Sequence, residues 1–127
     1  MHKVVVNRAQ ALVGVTASGF VDDAGLAAAA ADLHAAIRSL GDRAGRHVTL
    51  YDLTGLKVAS PATLARFAAY WSNPQVALGR RVALVSTSPL VLQQMARVQA
   101  VRDSIRVFAD RREALGWLIA DMARLVT

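Results

Sequence analysis

Val107 to Leu118 reads VFADRREALGWL, and in that short stretch a strand ends, a helix is capped and the helix makes its first apolar contacts. Val107 and Phe108 close an apolar run. Asp110 stands where a carboxylate accepts from free amides, with Glu113 three residues on at the capping-box position. Ala114, Trp117, Leu118 and Ile119 then recur at helical spacing. The pattern predicts a strand over 105–109 and a helix over 111–125, with Trp117 and Leu118 anchoring that helix on a sheet.

Upstream the same succession repeats. Arg81 to Ser86, RVALVS, is an unbroken apolar strand of the kind buried on both faces in parallel sheets. Ser88-Pro89 opens the next helix, because Ser caps free amides and Pro at the first helical position loses no needed hydrogen bond. Val91, Met95, Val98 and Val101 give that helix, 89–101, its inner face. Ser60-Pro61 starts an earlier helix, 61–72, in the same way, with Leu64, Phe67, Ala68 and Trp71 as its buried stripe and Asn73-Pro74 as its stop. His47 to Leu53 reads as a central strand leading into Thr54-Gly55.

Nearer the start, Asp22 or Asp23 opens a helix over 23–40 whose Leu26, Leu33, Ile37 and Leu40 share a face, with Gly41 ending it. Two short apolar runs, 4–7 and 11–17, precede it as an antiparallel pair, and Gly19 closes the second. The order is ββαβαβαβα. Strands alternating with helices call for an α/β domain with a mainly parallel sheet and right-handed crossovers.

At 127 residues the chain suits one domain with a sizeable core. There is no cysteine, which removes disulfides, thiolate metal sites and cysteine nucleophiles together. The longest weakly polar stretch, Leu26 to Ala31, stops at Asp32 and His34, well short of the roughly 20 residues that span a bilayer. A soluble cytoplasmic domain without stable membrane insertion is expected. The net charge of +6 invites a nucleic-acid reading. Yet the arginines are scattered, pairing only at Arg80-Arg81 and Arg111-Arg112, without an aromatic signature or a recognition helix, so no nucleic-acid partner is expected.

Site chemistry is sparse. His2, His34 and His47 lack ligand spacing, so no metal is expected. The glycines are dispersed and form no phosphate-cradling loop, so neither a nucleotide nor any other cofactor is expected. Asp52 reads either as a general base or, with more support, as a strand-end carboxylate that satisfies loop amides. No catalytic residue emerges.

Three segments carry a resemblance: YDLTGL at Tyr51 to Leu56, GRRVALVS at Gly79 to Ser86, and the ending with Phe108, Asp110, Ala114, Trp117 and Leu118. Together they resemble the SpoIIAA-like proteins, bacterial members of the STAS superfamily that are sometimes grouped as STAS/SEC14. The resemblance implies a small mixed, mainly parallel five-stranded sheet flanked by about four helices over the whole chain, 1–127. It also implies a non-enzymatic regulatory or protein-interaction module resembling anti-sigma-factor antagonists, with a kinase-like or anti-sigma-factor-like protein partner.

In the antagonists of that family a serine at the start of the helix after the central strand is phosphorylated, and Ser60 matches that position. The surrounding segment reads Val58-Ala59-Ser60-Pro61, without the family's acidic residue, first hydroxyl and glycine. A helix cap is the competing role, and Ser88-Pro89 shows the same dipeptide where no regulation is implied. The implied partner surface is Thr54, Lys57, Ser60 and Thr63. An alternative is a carrier of a small apolar or lipid-like ligand, in which Phe67, Tyr70, Trp71 and Trp117 line a cavity rather than the core.

Overall fold

A computed structural model describes residues 2–58, 61–73 and 79–126. Ser60 lies outside the described residues, as does the side chain of Leu64. The elements are β1 (His2–Asn7), β2 (Leu12–Val21), α1 (Asp23–Arg38), β3 (Val48–Val58), α2 (Pro61–Ser72), β4 (Arg81–Val85), α3 (Pro89–Val101), β5 (Ile105–Phe108) and α4 (Arg111–Val126), with a 3-10 turn at Gly41–Arg43. The strands form one five-stranded sheet in the order β1-β2-β3-β4-β5. β1 runs antiparallel to β2, and every other pair is parallel.

Three of the helix starts, those of α1, α3 and α4, follow their predicted chemistry. Asp22 caps α1 by accepting from the Gly25 amide at 2.8 Å, and Ser88 caps α3 by accepting from the Val91 amide at 3.4 Å. Asp110 accepts from the Arg112 amide at 2.9 Å at the head of α4. Each bond satisfies an amide that has no partner inside its own helix.

Two layers of helix enclose the sheet. α1, α2 and α3 each link a strand to its next neighbour in the same direction, so a common handedness puts all three on one face. There Leu33, Ile37, Phe67, Trp71, Val91, Met95 and Val98 pack on Val13, Val15, Tyr51, Leu53, Val82 and Leu84. α4 has no further strand to reach and covers the other face, where Ala114 and Leu118 pack on Val48, Leu50, Ala83 and Val85. Alternate residues of β3 and β4 therefore serve opposite cores, which is why β4 reads as a continuous apolar run.

Several expectations are corrected. Gly19 does not close β2: it takes φ +71° inside the strand, and the chain pairs on to Val21. β3 does not stop at Leu53 but continues through Thr54-Gly55 to Val58 along the lengthened β2. α1 ends at Arg38, with Leu40 and Gly41 beyond it. Val101 is exposed rather than part of the inner face of α3. Ten residues after Val91 the helix has turned roughly 80° off the buried stripe.

Trp117 is also not a core anchor, since it is only half-buried at the rim. It packs against Phe108 at 5.7 Å and lies between the guanidinium groups of Arg81 and Arg106, at 4.6 and 5.3 Å from its ring centre. The buried anchors of α4 are Ala114 and Leu118. Leu118→Ala should therefore cost about 2–5 kcal/mol, whereas Trp117→Ala should cost only about 1–2 kcal/mol through lost cation–π and rim contacts. Urea unfolding of the two variants checks that order.

Candidate functional site

β4 ends at Val85, opposite Asp52 of β3. Among the described residues Gly55 to Val58 of β3 pair with β2 alone, so the two strands project beyond the sheet as a ribbon. A register shift at its base, where Thr16 pairs with Asp52 but Ser18 with Gly55, inserts one extra residue into β3. Asp52 stabilises this irregularity by accepting from the Thr54 amide at 3.1 Å and from the Thr54 hydroxyl at 2.6 Å. Its second oxygen accepts from Arg111 Nη1 at 2.8 Å, tying the head of α4 to β3.

This arrangement decides between the two readings of Asp52. Partial burial pushes its pKa up, but the hydrogen bonds from the Thr54 side chain and backbone and from Arg111 outweigh burial and hold the carboxyl below its ordinary value. A general base working near neutrality needs the opposite shift. Asp52 is a carboxylate inside β3 that satisfies the Thr54 amide at the strand's irregularity and ties down the head of α4.

The ribbon carries two of the predicted partner-surface residues. Thr54 and Lys57 are exposed, and the Lys57 ammonium lies 5.8 Å from the ring centre of Phe20, its register partner on β2. Phe20 itself is 70% exposed, an apolar feature that a reading ending β2 at residue 17 could not find. Thr63 departs from expectation: it is buried in the first turn of α2 and offers no outer surface. Ser60 lies between these positions in the chain, outside the described residues.

A second feature lies beneath the ribbon. α1 packs on β1 and β2 while α2 packs on α3 and β3, and a cavity of about 180 Å³ opens between the two helices, floored by β2 and β3. Its walls include Ala29 and Ala30 of α1 and Phe67, Tyr70 and Trp71 of α2. Trp117, also named for a cavity wall, is on the opposite face of the sheet, beside the core of α4. Two polar links span the gap: Arg66 donates to Asp23 at 3.0 Å, and the Tyr70 hydroxyl meets His34 Nε2 at 3.3 Å. Burial, reinforced by Tyr70, pushes the Tyr51 hydroxyl well above its ordinary pKa, so it stays protonated.

Among the described residues no cluster of His, Asp or Glu could hold a metal ion, and no helix is long and apolar enough to cross a membrane.

No protein-family model and no curated protein matches this chain. Solved structures share the architecture. An uncharacterised protein with a SpoIIAA-like fold from Shewanella loihica superposes with a TM-score of 0.66 at 20% identity, over 92% of this chain and 93% of that one. An anti-sigma factor antagonist from Mycobacterium paratuberculosis superposes with a TM-score of 0.59 at 16% identity, over 93% and 94% of the two chains. The chain thus has the SpoIIAA-like α/β fold, a mixed five-stranded sheet with four helices.

Asp52 gives the rim a pH dependence of definite sign. Because its folded-state pKa lies below the ordinary 3.8, its contribution is complete above the unfolded value and is lost as pH falls through the folded one. Asp52→Asn should cost about 1 kcal/mol at neutral pH. That difference should shrink on acidification below about pH 4, as read by denaturant unfolding at stepped pH.

Proposed function

We propose that the protein is a non-catalytic interaction module of the cytoplasm whose contact surface is the projecting β2–β3 ribbon and the head of α2, carried by Thr54, Lys57 and Ser60. The observation behind this reading is the ribbon itself, which sets an exposed aromatic ring and an exposed lysine beyond the edge of β4. Exposed aromatic and cationic side chains on a preformed scaffold suit protein contact. Support for the kind of partner comes from the Mycobacterium antagonist that shares the fold: a protein of the anti-sigma-factor or kinase type. Asp52, the residue that could have been read as a general base, is held as a carboxylate by structural bonds.

Ser60 acts in this reading as the cap of α2 within the contact surface. The segment Val58-Ala59-Ser60-Pro61 lacks the acidic, hydroxyl and glycine neighbours of a family phosphoacceptor. Aspartate caps a helix as well as serine does. Ser60→Asp should therefore keep both stability and contact, whereas a phosphoryl switch would lose contact by more than about tenfold through the added charge.

A photoreactive amino acid in place of Lys57, introduced in the native cell, should crosslink to one discrete protein, and the same probe in place of exposed Lys3 on β1 should not. Mass spectrometry identifies the adduct, and its yield in the Ser60→Asp background reads the role of Ser60. No adduct at position 57, or equal adducts at 3 and 57, would refute the surface.

A further inference from the structure

We propose that the cavity between α1 and α2 is a binding site for a neutral, ring-sized organic molecule that carries one hydrogen-bond acceptor. This goes beyond the ribbon surface and does not rest on it. Size limits the occupant first. At about 180 Å³ the space is close to the roughly 150 Å³ apolar cavity that holds a benzene ring, and far too small for a lipid with long acyl chains.

Shape and polarity limit it further. Phe67 stacks on Trp71 at 5.4 Å between ring centres, and Tyr51 meets Trp71 edge-on at 5.3 Å, so the α2 wall is aromatic and suits a flat guest. Opposite stand Ala29 and Ala30, whose short side chains leave the room that larger residues would fill. No lysine or arginine lines the cavity, so an anionic guest would be buried without a counter-charge. The carboxylate and imidazole at its edge, Asp22 and His2, are engaged by the Gly25 amide and by Asp32, which leaves a neutral guest.

Two wall residues have polar atoms without a partner. The Tyr51 hydroxyl and Trp71 Nε1 are both buried without a well-formed hydrogen bond; the indole N–H leans toward the Tyr51 oxygen and the Tyr51 hydroxyl toward Tyr70, contacts that a better-placed acceptor can replace. Tyr51 is protonated and the indole N–H can only donate. Unmet buried donors cost stability, and a guest acceptor that reaches them would remove that cost.

Acetophenone, a ring with a carbonyl acceptor, and ethylbenzene, a ring of similar size without one, are suitable probes. Titrated into the full chain, acetophenone should bind saturably, raise the melting temperature and shift the Trp71 indole N–H resonance, and should bind at least about fivefold more tightly than ethylbenzene. Tyr51→Phe should narrow that preference. Ala30→Leu, which fills the cavity, should abolish binding of both probes while circular dichroism remains unchanged, and Ala29→Leu serves the same purpose if that variant does not fold. Absence of saturable binding, binding that survives in the filled variant, or equal affinity for the two probes would each overturn the proposal.

Discussion

Burial of β3 on both faces is the constraint to which the other elements answer. Val48 and Leu50 point to one side, Tyr51 and Leu53 to the other, and all four are nearly inaccessible. A strand with two apolar faces cannot be served by one layer of helix. The crossover helices cover one side. The return of α4 across β3, β4 and β5 covers the other, and the Asp52–Arg111 ion pair fixes its head.

Covering the first face with three helices has an unequal result. α2 and α3 pack closely on each other, and α1 sits over β1 and β2. Between α1 and α2 the contacts are polar ties, Arg66 to Asp23 and Tyr70 to His34, and the space they span is the cavity. Its existence follows from side-chain size. Ala29 and Ala30 face large aromatic residues across the cavity, and large opposite small leaves a gap when the backbones cannot close further.

The basic composition also finds a structural use. Arg8 donates to the Ser39 carbonyl, Arg43 to the Arg8 carbonyl and Arg46 to the Asp42 carbonyl. Arg102 donates to the carbonyls of Trp71 and Asn73 at the end of α2, and Arg81 to that of Trp117. Guanidinium groups thus satisfy backbone oxygens where helices and turns end. Arginines that look scattered along the chain tie distant helix and turn ends together.

The sequence by itself determined the element order and most element limits, because these depend on local chemistry: the caps at Asp22, Ser88 and Asp110 and the periodicity of α1 and α3 are written within a few residues of where they act. It also marked β4 as buried on both faces. Tertiary structure alone decided where β2 and β3 end, since Gly19 and Gly55 look like stops until each strand finds the other as its partner. The same holds for the site. Thr54 and Lys57 came to notice through the family resemblance, but the exposure of Phe20, the burial of Thr63, the rim position of Trp117 and the gap between α1 and α2 depend on which face meets which, and long-range packing is not encoded in any one stretch of chain.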